Sequence, residues 1–261
     1  MGIVDSHCHL NFEPMGDNLA AVIAAAQSND VQHMLCVAVT IEDFPQVLKI
    51  AQDHEFIYAS VGVHPCYKDS IEPTVEELVN YADDKNIVAI GETGLDYFRN
   101  EGDLDWQRER FVRHIEAGII AQKPLIIHTR EAAVDTMAML KEHNADKCGA
   151  VMHCFAEDWD TAKKALDLGF YISMSGIVTF KSAETLKEVA KKIPMDRMLV
   201  ETDSPYLAPV PMRGKPNQPA FVRHTAEYLA ELRGLSLEEI AAQTTQNFFT
   251  LFNTAIPVDH A

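Results

Sequence analysis

Seven side chains of the kinds that bind cations or move protons each stand at the close of a short apolar run. His7 and His9 stand in "VDSHCHL", His64 in "GVHP", Glu92 in "GETGLD", His128 in "IIHTR", His153 in "MHCF" and Asp203 in "ETDSP". Neutral imidazoles and carboxylates are the ligands of Zn²⁺, Mn²⁺ and related ions. Leaving His64 aside, four histidines and two carboxylates are too many for one open catalytic site, but they suit two ions. Such ions lie roughly 3.5–4 Å apart and need a bridging ligand, and a carboxylate has two oxygens to offer. Glu92 is therefore the expected bridge. His7 and His9 would hold one ion with Asp203, and His128 and His153 the other. A water between the ions would have a lowered pKa, and Asp203 is the group to orient it and take its proton.

Each residue alone has a plainer explanation. A lone strand histidine is usually a hydrogen-bonded core residue. Asp203 before Ser204 and Pro205 could open a turn. Glu92 could cap a helix, and His64 could be structural beside Pro65. Their joint occurrence decides the matter, because packing does not put six such groups, His64 apart, at the ends of five runs out of eight.

The elements that must position them follow from periodicity. Eight apolar runs read as strands: "IVDSHCHL", "HMLCVAV", "IYASVGVHP", "IVAIGETG", "PLIIHT", "GAVMHCF", "FYISMSG" and "RMLVETDSP". Between them "NLAAVIAAAQSN", "RERFVRHIEAGIIAQ", "AAVDTMAMLKEH" and "ETLKEVAKKI" carry apolar residues at helical spacing. Thr74 with Glu77, and Ser236 with Glu239, read as capping boxes. Strands alternating with helices indicate a parallel sheet covered by helices. Eight units predict an α/β (β/α)₈ TIM barrel, one domain over 1–261, with a doubly wound open sheet as the rival. In a barrel the C-terminal strand ends form one rim, where active sites sit. One long irregular stretch, residues 203–221, is of a length often kept for function.

Composition sets further bounds. The chain has 261 residues, 47% hydrophobic and 23% charged, with a net charge of −17. That balance argues against a broad basic surface gripping nucleic acid, though not against a nucleic-acid substrate. Cys8, Cys36, Cys66, Cys148 and Cys154 are unpatterned and read as reduced thiols of a cytoplasmic protein. Strand alternation would turn Cys8 and Cys154 away from the neighbouring histidines, into packing. The start "MGIVDSHCHL" shows no signal peptide, the residues after Gly2 do not favour myristoylation, and no run is long enough to span a membrane. The oligomeric state leaves no sequence signal.

Taken in order, "DSHCHL", "GVHP", "GETGLD", "HTR", "HCF" and "ETDSP" resemble the TatD family of metal-dependent deoxyribonucleases, within the amidohydrolase-like barrels. The likeness runs from Val4 to about Phe252 and includes "RGKPNQPAFV". The resemblance implies metal ligation by His7, His9, Glu92, His128, His153 and Asp203. It places His64 near the metals as a substrate contact or auxiliary acid, beside Asp203 and Glu92 in catalysis. Related barrels often bridge their metals with a carboxylated lysine; here Glu92 stands in that place. Asp5, two residues before His7, is expected to support the histidines from behind. Glu201 has two readings, support for Asp203 or a buried core carboxylate.

The activity expected is hydrolysis of a phosphodiester with two divalent ions (Zn²⁺, Mn²⁺ or Mg²⁺). The expected partner is DNA, as a strand end or short single strand. Arg213 and Lys215 on the long loop, and Arg130 after His128, are candidate phosphate contacts. Tyr206, with Tyr97 and Phe98, could stack on bases. Two other readings stay open: a hydrolase of the same barrel acting on a small ester, amide, lactone, phosphoester or aminoacyl ester, and a non-catalytic metal-binding protein.

Overall fold

The computed structural model describes residues 2–98 and 102–258, so the outermost residues of the expected 1–261 domain lie outside it. Eight strands are present among these residues: β1 (Ile3–Cys8), β2 (Val31–Cys36), β3 (Ile57–Val61), β4 (Ile87–Asp96), β5 (Leu125–Arg130), β6 (Ala150–Met152), β7 (Tyr171–Met174) and β8 (Met198–Val200). They form one parallel sheet in the order β1 to β8, each strand beside its successor in sequence. The last strand returns to the first through a parallel bridge between Cys8 and Ser204. Two backbone bonds reinforce that seam, His9 N–H to Ser204 O (2.9 Å) and Asp203 N–H to His7 O (2.9 Å). The sheet is thus a nearly closed barrel, and the open-sheet rival is excluded.

The helices are α1 (Leu19–Gln27), α2 (Phe44–Asp53), α3 (Val75–Ala82), α4 (Asp105–Ala121), α5 (Ala133–Glu142), α6 (Trp159–Asp167), α7 (Glu184–Lys192), α8 (Val222–Arg233) and α9 (Leu237–Leu251). Both expected capping boxes form. Thr74 accepts from the Glu77 N–H and Ser236 from the Glu239 N–H, and each glutamate reaches back to its cap residue. Two orphan donors are satisfied at each of these helix starts. None of the described helices is long and apolar enough to cross a membrane.

The core has two layers. The larger lies between strands and helices and includes Cys8, Cys36, Phe111, Leu125 and Val200. The smaller takes residues from every strand, among them Val4, Leu35, Tyr58, Ile126 and Leu199, and closes on Phe248, Leu251 and Phe252. The final helix α9 thereby stops one end of the barrel with apolar bulk. The opposite end, where the strands finish, is where the polar residues gather.

Candidate metal centre

Glu92 is the hub of the cluster at the C-terminal end of the barrel. It is 3% exposed and supplied by β4. Its Oε2 lies 3.3 Å from His7 Nε2 and 3.9 Å from His9 Nε2. Its Oε1 lies 2.9 Å from His153 Nε2, 3.2 Å from His128 Nδ1 and 3.3 Å from His64 Nε2. The carboxylate thus stands between two groups of imidazoles, one oxygen toward each. Asp203 Oδ1 lies 3.5 Å from His9 Nε2 and 3.7 Å from His7 Nε2. The structure therefore brings together all six residues read as ligands, and His64 with them. Three overlapping groups have donor atoms close enough to share an ion: His7 with His153 and Asp203, His7 with His9 and Glu92, and His64 with Glu92 and His128.

Hydrogen bonds on the far side of each ring decide what the near side offers. His9 Nδ1–H donates to Val37 O (3.0 Å), His128 Nε2–H to Asp96 Oδ2 (3.0 Å) and His153 Nδ1–H to Glu201 Oε1 (3.0 Å). A neutral imidazole has one proton, so each of these rings turns a bare lone pair toward the carboxylates. Acceptor then faces acceptor, as at the 2.9 Å contact of His153 with Glu92. Such an arrangement needs a proton or a metal cation between the two groups, and the donor set suits a divalent ion. His7 stacks on His153 with centroids 3.9 Å apart. Its buried Nδ1 has no hydrogen-bond partner among the described residues.

His64 is built the other way round. The backbone N–H of Cys66 donates to its Nδ1 (3.0 Å), which places the ring's own proton on Nε2. That N–H points to His128 Nδ1 (3.3 Å) and Glu92 Oε1 (3.3 Å). His64 thus enters the cluster as a donor among acceptors.

The electrostatics follow the geometry. Burial pushes the Glu92 carboxyl up, but the rings of His153, His64 and His128 outweigh it and hold the group well below the usual carboxylate range. Asp203 is held low in the same way, its burial outweighed by His9, His153 and His7. Burial pulls His64 below the usual imidazole range. Burial also acts to lower His153, yet the adjacent Glu92 and Glu201 carry it well above.

Several expectations need correction. The site residues do not all end strands. Glu92 lies within β4 and His128 within β5, because that pair continues in register to Asp96 beside Arg130, past an irregularity between Ile90 and Thr93. His9, His64, His153 and Asp203 lie just beyond their strands. Asp5 supports His7 through the backbone, accepting its N–H at 3.4 Å, and not through the ring. Its carboxylate accepts from Thr202 N–H (2.8 Å) and Thr202 Oγ1–H (2.6 Å), tying β1 to the segment that carries Asp203. The β1–β2 pairing shifts register on both sides of Asp5, between Ile3 and Val4 and between Asp5 and Cys8. Burial pushes Asp5 up to about 8. Cys8 packs in the core as expected, but Cys154 lies past the end of β6 with φ +42°, so strand alternation does not govern it; its Sγ is 3.2 Å from Ser175 Oγ.

The candidate substrate residues stand on the rim. Arg130 stacks on the exposed ring of Phe98 (3.8 Å to the centroid) and Arg213 on Phe180 (3.9 Å). Lys215 and Tyr206 are exposed. Tyr97 takes another role, donating from its hydroxyl to Asp135 (2.6 Å). Asp96 was not singled out from the sequence. The signal was there, since Asp96 follows Glu92 by four positions in one extended run, a spacing that returns to the same face. Glu201 proves to back His153 and the Cys154 N–H (2.7 Å) rather than Asp203.

Similarity to known proteins agrees with this geometry. A family profile described as "TatD related DNase" matches residues 4–253. The chain is 48% identical over 257 residues to the "uncharacterized metal-dependent hydrolase YcfH" of Escherichia coli (strain K12), covering 97% of this chain and 96% of that one. It is 40% identical over 253 residues to the "uncharacterized metal-dependent hydrolase YabD" of Bacillus subtilis (strain 168), covering 96% and 98%. The crystal structure of YJJV, a TatD homologue from E. coli K12, superposes with a TM-score of 0.90 at 29% identity over 98% of each chain. With a barrel of this topology and a profile match over nearly its whole length, the chain belongs to the TatD family, whose relatives named here are metal-dependent hydrolases.

Proposed function

We propose that the protein is a metal-dependent phosphodiesterase that trims single-stranded DNA from an end. The observation that carries the reading is the set of bare imidazole nitrogens, each backed by an acceptor, converging on Glu92 and Asp203. The ligands would be His7, His9, Glu92, His128, His153 and Asp203. Two divalent ions bound there, Zn²⁺, Mn²⁺ or Mg²⁺, would polarise the phosphate and ease ionisation of the attacking water.

The protein's own groups do the rest. Asp203 accepts the proton that the attacking water gives up as its oxygen bonds to phosphorus. Glu92 keeps a negative charge between the two groups of imidazoles. The proton taken by Asp203 would return to the leaving oxygen as the P–O bond breaks, while the neutral His64 would offer its Nε2–H as a hydrogen bond to a phosphoryl oxygen or to that leaving oxygen. At the rim the guanidinium faces of Arg130 and Arg213 lie on Phe98 and Phe180, and Arg213 also donates from Nη1 to Ala208 O (3.4 Å). A nucleic-acid strand offers both phosphates and ring faces to such pairs, and Lys215 and Tyr206 add a charge and a ring. The family name supports a DNA substrate. A net charge of −17 favours a strand end or short single strand over a long duplex. A cytoplasmic setting, where thiols stay reduced, suits the five free cysteines.

The same acidity keeps one rival in view, a hydrolase of small esters, amides, phosphoesters or aminoacyl esters. The deciding experiment is cleavage of end-labelled single-stranded DNA by metal-stripped protein titrated with Mg²⁺, Mn²⁺ and Zn²⁺, with Asp203→Ala as control. Stepwise shortening that needs metal and is lost in the variant is the expected result. No cleavage by protein shown to bind metal would overturn the nuclease reading and favour the small-substrate one.

A further inference from the structure

Helix α4 carries a stripe of buried polar side chains on a face that would ordinarily be apolar. Gln107, Arg110 and His114 recur at i, i+3 and i+7, and are 0%, 1% and 0% exposed. All three reach backbone beside the metal centre. Arg110 donates from Nη1 to His64 O (2.9 Å) and from Nη2 to Tyr67 O (3.0 Å). Its Nε donates to Glu72 (2.9 Å), and its guanidinium lies 4.9 Å from the Trp106 ring. His114 donates from Nδ1 to Arg110 O (2.8 Å) and accepts the Val63 N–H at Nε2 (3.0 Å). Gln107 both accepts the Asp96 N–H and donates to Asp96 O, each at 3.0 Å.

The segments so held are two. One is Val63–Tyr67, whose Cys66 N–H caps His64 Nδ1 and so sets which nitrogen bears the proton. The other is the end of β4, whose Asp96 takes the His128 Nε2–H. Ordinary packing would use apolar residues here, since a buried guanidinium costs free energy unless every donor is matched. We propose that Gln107, Arg110 and His114 are positioning residues. They hold the Val63–Tyr67 turn so that His64 presents an N–H to the cluster, and they hold Asp96 so that His128 presents a lone pair. The kinetic consequence rests on the hydrolase reading above; the geometric one does not.

The test is a double-mutant cycle of Arg110→Met with His64→Ala, read on single-stranded DNA. A small misplacement of an aligned group costs about 100-fold in rate. Arg110→Met is therefore expected to lower kcat by about that factor, with KM within about threefold of wild type and metal content unchanged. In the His64→Ala background the same change is expected to cost less than about twofold, because the group it acts through is gone. An equal cost in both backgrounds, or none in either, would overturn the proposal. Long-range ¹H–¹⁵N imidazole spectra of the metal-free protein give a readout independent of activity. The His64 proton is expected on Nε2 in wild type and distributed over both nitrogens in Arg110→Met; an unchanged tautomer would refute the positioning role. If wild-type protein cleaves no DNA, the nuclease reading falls while these spectra still decide the proposal. If Arg110→Met does not fold, His114→Leu replaces it in the same comparisons. His114→Gln, which keeps an acceptor for the Val63 N–H, is then expected to restore the wild-type tautomer, and failure to restore it would count against the proposal.

Discussion

Replacing Glu201 separates a carboxylate that supports a metal ligand from one that only fills the core. Glu201 is 1% exposed, and its Oε1 accepts both His153 Nδ1–H (3.0 Å) and Cys154 N–H (2.7 Å). Glu201→Gln keeps the volume and an acceptor oxygen but removes the charge that makes His153 a stronger base. Loss of such a partner typically weakens metal binding by about 10–100-fold, or roughly 1.4–2.7 kcal/mol. Glu201→Ala goes further and strands one buried and one part-buried donor, at up to about 1–3 kcal/mol each. The alanine variant is thus expected to lose up to about 2–6 kcal/mol of stability, a large share of the roughly 5–15 kcal/mol that holds a typical domain. Titration calorimetry with Zn²⁺ and Mn²⁺ on chelator-treated protein measures the first quantity. Urea unfolding in chelator measures the second without interference from bound metal. A glutamine variant that bound metal as wild type does, while losing stability, would show that Glu201 serves the core alone.

Other perturbations have equally definite outcomes. Asp203→Ala and His128→Ala are each expected to abolish turnover while leaving the far-ultraviolet circular dichroism of the barrel unchanged; full activity in either would remove that residue from the site. His114 is buried neutral, and burial lowers its pKa from 6.5 to about 4. Below pH 6.5 the unfolded chain gains a proton that the folded protein refuses, so this contribution is present above pH 6.5 and is lost as pH falls toward 4. Between pH 7 and 4.5 it amounts to about 2–3 kcal/mol. Urea unfolding of metal-free protein at those two pH values should show wild type losing that much more than His114→Gln, and parallel losses would contradict the assignment. At Gly94, with φ +133°, an added Cβ would lie 2.0 Å from His128 O. Gly94→Ala is therefore expected to cost about 3 kcal/mol or more, whereas Gly169→Ala, at φ +80° but with nothing within 4 Å, should cost only about 1–2 kcal/mol. Thermal melts of the two variants make the comparison, and equal costs would mean that β4 yields freely at that contact.

The barrel was legible because its signals are local. Each apolar run and each capping box can be read within a few residues, and all eight runs proved to be strands. The six candidate ligands were legible for a related reason, since ionisable groups inside apolar runs stand out against their surroundings. What could not be read was which nitrogen each histidine offers, because that depends on partners far away in sequence. His153 is set by Glu201 and His128 by Asp96, across 48 and 32 positions. Asp5 shows the limit of periodicity, since it alternates with the histidines in one run yet its carboxylate bonds Thr202 and the His7 backbone, not the rings. The α4 stripe shows another. In "DWQRERFVRHIEAGIIA" nothing local marks Gln107, Arg110 and His114 as buried, since side chains of these kinds mostly face solvent. They are buried because strand ends and turns leave backbone groups that an apolar helix face would not satisfy. A closed parallel barrel leaves such groups wherever a strand stops, and it stops its strands around the site. The cluster therefore depends on two layers of polar contacts. The inner layer sets the proton on each ring, and the outer layer, on a helix, fixes the backbone that carries the inner one.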